Sequence, residues 1–183
     1  MLEQALFAGF GGQGMLLIGE FLAEAGMREG KYVSWLPSYG PEMRGGTANC
    51  SVVLSDREIA SPVITDPDCV IAMNRPSLEK FEGGVKPGGL LIVNSSLIDV
   101  KARREDIDVL YIPASEMAER IGNPKGANVV ILGAYLAKRP VVSVDSLLEA
   151  MKSRLGEKKA RFLEGNKKAL LAGMEQAKQE SKT

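Results

Sequence analysis

The chain has 183 residues, 45% of them hydrophobic and 25% charged, which suits one globular domain with a packed core and excludes wholesale disorder. Its 23 basic residues balance 23 acidic ones, so no broad attraction to nucleic acid or an anionic membrane is expected. With no histidine and only two cysteines, the chain lacks the parts for Ser-His-Asp or Cys-His chemistry, His-ligated zinc or an iron–sulfur cluster of its own.

Cys50 and Cys69 are expected to be buried free thiols rather than a disulfide. No apolar run approaches the roughly 18–20 residues that span a bilayer. Met1-Leu2-Glu3-Gln4 lacks the basic region and apolar core of a signal peptide, so a soluble, cytoplasmic protein is expected.

In chain order, Gln4 to Ala8 is an apolar run that predicts a strand, ending in Gly9-Phe10-Gly11-Gly12-Gln13-Gly14. Met15 to Arg28 carries Leu17, Phe21, Leu22 and Ala25 at helical spacing. Lys31 to Leu36 reads as a second strand, stopped by Pro37. This opening is a βαβ unit with an expected right-handed crossover. Ser38 to Gly46 is a loop, and Thr47 to Leu54 is β-rich. Cys69 to Met73 and Gly89 to Val93 are all-apolar runs of the kind buried on both faces of a parallel sheet. Pro76 to Phe81 predicts a short helix, Val109 to Ile112 a strand and Ser115 to Arg120 a helix. Asn123 is placed to cap a helix running to about Lys138, with Pro124 at its first position. Val144 to Leu155 and Glu157 to Gln179 complete the helices. The fold class expected is α/β, a Rossmann-like open sheet, mostly parallel, with helices on both faces, in a single domain over residues 1–183.

Three motifs can carry chemistry. Gly9, Gly11 and Gly14 satisfy GxGxxG between a strand and a helix, the context in which backbone N–H groups approach an anion. The second strand ends Val33-Ser34-Trp35-Leu36-Pro37-Ser38, without the carboxylate that binds a dinucleotide ribose. A dinucleotide site, close packing, and a turn facing a phosphate or a partner's cofactor all remain open. Ser38-Tyr39-Gly40-Pro41-Glu42-Met43-Arg44-Gly45-Gly46-Thr47 follows the second strand at the ligand-binding edge of such sheets. Arg44 can clamp a carboxylate or phosphate in bidentate fashion, with Glu42 orienting it; a plain surface loop with an internal ion pair is the alternative. Asn123, Lys125 and Asn128 surround a helix start, which suits either an anion or simple capping. Residues 151–183 hold nine Lys/Arg against four Asp/Glu, a basic end that is either a solvated face or a surface for an acidic partner.

Together GFGGQG, SYGPEMRGGTANC and IGNPKGAN resemble the gamma subunit of the 2-oxoacid:ferredoxin oxidoreductases, most like the 2-oxoglutarate or branched-chain branch. The resemblance implies a non-cluster subunit of a multisubunit enzyme that turns a 2-oxoacid and coenzyme A into an acyl-CoA and carbon dioxide, with electrons passing to ferredoxin. It implies that thiamine diphosphate and iron–sulfur clusters sit in alpha, beta and delta-type (ferredoxin-like) partner subunits. This chain then binds no cofactor alone, has no catalytic or metal-ligating residue, and contributes scaffold and part of the active-site or coenzyme A environment. The residues expected at ligand or subunit contacts are Gly9, Gly11, Gly12, Gln13, Gly14, Tyr39, Glu42, Arg44, Gly45, Gly46, Asn123, Lys125 and Asn128. An isolated chain is expected to self-associate through an apolar patch around residues 37–46, as in a homodimer. The competing expectation is a free-standing Rossmann-like dinucleotide-binding protein or reductase.

Overall fold

A computed structural model describes residues 1–38, 47–156 and 161–180 of the chain. Six strands are present among them: β1 (Leu2–Phe10), β2 (Tyr32–Ser38), β3 (Thr47–Ser55), β4 (Cys69–Ala72), β5 (Leu90–Asn94) and β6 (Asp108–Ile112). The helices are α1 (Met15–Arg28), α2 (Arg75–Phe81), α3 (Ala114–Arg120), α4 (Ala127–Lys138), α5 (Val144–Leu155) and α6 (Leu163–Glu180). The strands form one open sheet in the order β2-β3-β1-β4-β5-β6. β3 is antiparallel to both of its neighbours, and β4, β5 and β6 run parallel to β1.

The all-apolar runs become the centre of the sheet, since every residue of β4 and β5 is buried. On one face Phe7, Ile71 and Ile92 pack with α1, α4 and α5, and α3 and α6 join the same cluster. On the other, Leu6, Val70, Leu91 and Val93 pack against Leu78 of α2 and against Val85 and Ile98. Each fully buried Phe, Ile or Leu contributes about 1.5–3 kcal/mol through water exclusion. In α1 the residues Met15, Ile18, Phe21, Leu22 and Ala25 are buried, the face that helical spacing selects. α4 is apolar all round because it lies between the sheet and α6. A Cβ on Gly133 or Gly173 would overlap the Leu170 or Val130 carbonyl oxygen, so the two helices cross backbone to backbone.

Several sequence expectations are corrected. β2 runs through Pro37 to Ser38, pairing Pro37 with Cys50. Proline is accepted there because β2 has a neighbour on one side only, and an edge strand can lack a donor. β1 and β2 are not neighbours, because β3 lies between them. A 3-10 turn over Pro124–Gly126 precedes α4, and the Asn123 side chain makes no cap hydrogen bond. The last helix begins at Leu163, and residues 157–160 of its expected span lie outside the described residues. Among the described residues no helix is long and apolar enough to cross a membrane.

Candidate functional site

The carboxyl ends of β1, β4 and β5 form one edge, and a side-chain carboxamide closes each of them. After β1 the chain turns through Gly11 and Gly12, the latter at φ 90°, and enters α1 from Gly14 at φ 75°. Only glycine adopts these angles without strain. Gln13 folds back over the turn: its Oε1 accepts from Phe10 N at 2.6 Å and from Asn74 Nδ2 at 3.3 Å, and its Nε2 donates to Met73 O at 3.5 Å. Asn74 follows β4 and caps α2, its Oδ1 accepting from Ser77 N at 2.9 Å. Asn94 ends β5, donating to Ser115 Oγ at 3.1 Å and accepting from Ala114 N at 3.1 Å. Asn128, in the first turn of α4, donates to Gly14 O at 3.2 Å. All three asparagines are buried, and their hydrogen bonds offset the cost of burying them.

The glycines of the motif have distinct roles here. A Cβ at Gly9 would lie 2.6 Å from Gln13 Oε1, and one at Gly14 would overlap Asn128 Nδ2. Both are glycine so that a neighbouring carboxamide can come close. Gly12 has open space around it, so it alone of these three faces outward. With β3 occupying the place beside β1 where a dinucleotide ribose would meet an acidic strand end, the arrangement favours close packing over dinucleotide binding.

The loop carrying Tyr39, Glu42, Arg44, Gly45 and Gly46 lies outside the described residues, as does the patch expected around it. Its flanks are placed: Ser38 pairs with Asn49, and Thr47 pairs with Phe10. The chain therefore returns from this loop directly beside the glycine turn. Asn123 and Lys125 lie further along, on a cleft with α6, and Asn128 alone of that motif joins the glycine turn. Sequence reasoning missed Asn74 and Asn94. The signal was an asparagine closing an all-apolar strand in each case, and for Asn74 a helix start just after it with Pro76 at its second position.

Among the described residues no group of three His, Cys, Asp or Glu could hold a metal ion. Cys50 on β3 and Cys69 on β4 are free, buried and separated by β1, as free thiols were expected to be. Burial pushes the Cys50 thiol up to about 12, and Cys69 well above its ordinary value, so neither supplies a thiolate.

With this geometry in place, the family model described as pyruvate ferredoxin/flavodoxin oxidoreductase matches residues 4–176. The chain belongs to that family. It is 39% identical over 158 residues to the 2-oxoglutarate synthase subunit KorC of Methanothermobacter thermautotrophicus, covering 82% of this chain and 83% of that one. It is 38% identical over 173 residues to the ketoisovalerate oxidoreductase subunit VorA of the same organism, covering 94% of this chain but 36% of VorA. The chain thus spans about a third of that curated relative. Among solved structures it is similar to the gamma subunit of a keto/oxoacid ferredoxin oxidoreductase from Geobacter sulfurreducens, with a TM-score of 0.84, 32% identity and 97% and 99% of the two chains covered. The 2-oxoglutarate:ferredoxin oxidoreductase of Magnetococcus marinus, with 2-oxoglutarate, coenzyme A and succinyl-CoA bound, gives a TM-score of 0.88 at 26% identity over 97% of this chain and 31% of that one. These relatives are oxidoreductase subunits, and the mostly parallel α/β sheet expected from the sequence is the fold they share.

Proposed function

We propose that this chain is the gamma-type subunit of a 2-oxoacid:ferredoxin oxidoreductase, acting on 2-oxoglutarate in the cytoplasm. The complex would convert the 2-oxoacid and coenzyme A to an acyl-CoA and carbon dioxide, with two electrons passing to ferredoxin. Thiamine diphosphate, when bound by the partner subunits, supplies the carbanion chemistry, and their iron–sulfur clusters accept the electrons. Supporting the assignment to 2-oxoglutarate are the near full-length match to KorC and the fold match to the Magnetococcus marinus enzyme. Ketoisovalerate is the second reading, on the VorA match.

This chain's own part is positional. The observation that carries the reading is the carboxyl edge: a glycine turn locked by Gln13 and Asn128, open at Gly12, with Thr47 paired beside it at Phe10. That edge forms one wall of the site where the alpha, beta and delta-type subunits meet. Arg44 is the clamp for an anion, a coenzyme A phosphate or a partner carboxylate, oriented by Glu42. A desolvated charge pair of this kind costs about 2–5 kcal/mol to break from one side.

The test is Arg44→Ala in the complex reconstituted from all subunits. The melting temperature of the chain should barely move. Either assembly or the apparent affinity for coenzyme A should fall at least about tenfold, and Arg44→Lys should restore only part of it. Wild-type assembly together with a wild-type KM for coenzyme A contradicts the clamp. A 2-oxoacid profile led by a branched-chain acid moves the substrate to the second reading.

A further inference from the structure

The Asn123-Pro124-Lys125-Gly126 stretch does not reach the glycine turn, and the structure gives it different work. A cleft of about 660 Å³ opens between this turn and the start of α6, lined by Asn123, Lys125, Arg161, Phe162, Gly165 and Asn166, with Leu155 at its side. That volume is in the range of small-molecule sites, about 300–1,000 Å³. Its wall is built around Asn123. The Asn123 carboxamide donates to Asn166 Oδ1 at 3.4 Å, joining the turn to α6. It fits there because Gly126 leaves room: a Cβ at Gly126 would overlap it, and Gly165 of α6 packs against its other side. Asn123 is thereby spent on shaping a cleft instead of capping a helix.

Among the described residues the lining carries two cations and no carboxylate, and neither Lys125 nor Arg161 forms an ion pair there. The Arg161 guanidinium lies over the Phe162 ring, 4.8 Å from its centre, at the rim beside an exposed apolar surface. We propose that this cleft binds a small anionic molecule, a phosphate or carboxylate attached to an apolar group. Lys125 and Arg161 take the anion, the Asn123–Asn166 pair shapes the wall, and Phe162 with Leu155 covers the apolar part. An acidic segment of a partner protein is the rival occupant of these two cations, unpaired among the described residues, and concavity favours the small molecule. The proposal does not depend on the assignment of the chain to a 2-oxoacid oxidoreductase.

The purified protein is titrated with phenyl phosphate, phenylacetate and inorganic phosphate, followed by calorimetry and by the NMR signals of Asn123 and Asn166. Saturable binding by one of the two aromatic anions, with a Kd below about 1 mM, supports the site, and which of them binds tighter identifies phosphate or carboxylate as the anion. Inorganic phosphate should bind more weakly. Lys125→Gln and Arg161→Gln should each weaken binding at least tenfold, and Phe162→Ala should remove the advantage of the ring. Lys168→Gln, on an exposed position outside the cleft, should change nothing. All four positions are exposed, so melting temperatures near wild type are expected. No saturation, equal weakening by Lys168→Gln, or loss of partner assembly with unchanged phenyl phosphate binding each overturns the proposal.

Discussion

The two edges of the sheet hold their buried polar groups in opposite ways. At the carboxyl edge Gln13, Asn74, Asn94 and Asn128 are neutral carboxamides, each hydrogen-bonded within the protein. At the amino edge the buried groups are charged. Glu3, 5% exposed, accepts from Tyr135 Oη at 3.2 Å and faces Arg139 Nε at 4.0 Å. Arg139 also donates to Asp68 O, and Asp68 receives Gln4 N and Lys86 Nζ. α4 joins the two edges, from Asn128 at one end to Tyr135 and Arg139 near the other. A neutral lock keeps its shape across pH and leaves no local charge to compete with an incoming anion. The charged cluster makes the other edge the place where stability depends on pH.

The comparison can be broken most forcefully at the amino edge. Arg139→Ala should cost about 3 kcal/mol near pH 8 by leaving the Glu3 carboxylate buried without its cation. Burial already pushes Glu3 up from its ordinary value, against the pull of Arg139. A raised folded-state value means the acid form is favoured by folding, so the loss should shrink as pH falls through it. Urea unfolding of the variant against wild type across this pH range checks the sign; a loss constant with pH sinks it.

Gly14→Ala should cost about 2–3 kcal/mol, from an alanine held at positive φ and from displacement of the Asn128 carboxamide. Unlike Arg139→Ala, it should cost the same at every pH. Asn128→Ala alone should cost about 1 kcal/mol, and the double variant less than the sum, because the smaller side chain makes room for the new methyl. Strict additivity in a double-mutant cycle contradicts the packing role given to Gly14.

A smaller effect is expected from Gln13→Ala, about 1 kcal/mol in stability, because the Phe10 amide can turn to water. Hydrogen exchange should register it more sharply, with faster exchange at Phe10 and at Ser77, whose cap Gln13 steadies through Asn74. The last concerns Glu29 at the far end of α1, and it is read in acid. Burial pushes its carboxyl up, but hydrogen bonds from Lys31, the Ser143 amide and the Ser146 and Ser143 side chains outweigh this and hold it at about 2. Its contribution is therefore present above pH 4.5 and lost as pH falls from there to about 2. Glu29→Gln should flatten the acid limb of the stability curve and leave the carboxyl edge untouched; an unchanged acid limb refutes the assignment.

Much of this fold is legible in the residues. The helices at Met15–Arg28 and Val144–Leu155 follow from apolar spacing alone, and β4 and β5 from their unbroken apolar runs. Strand order is not legible, because nothing local in Thr47–Ser55 says that it inserts between β1 and β2. Pro37 misleads, since a proline stops a strand only where both edges are paired. At the candidate site the glycine spacing is visible, but the reason for Gly14 lies 114 residues away, in the Asn128 carboxamide that meets it. Asn74 and Asn94 look like ordinary caps until the register of β4 and β5 sets them along one edge.

The central claim is that this chain builds a wall of the site without performing redox chemistry of its own. The most direct measurement is 2-oxoglutarate- and coenzyme A-dependent viologen reduction by the pure chain, by its partner subunits without it, and by the reconstituted complex. The account predicts activity in the reconstituted complex alone. Reduction by the pure chain, or full activity of the partner subunits without it, would contradict the account.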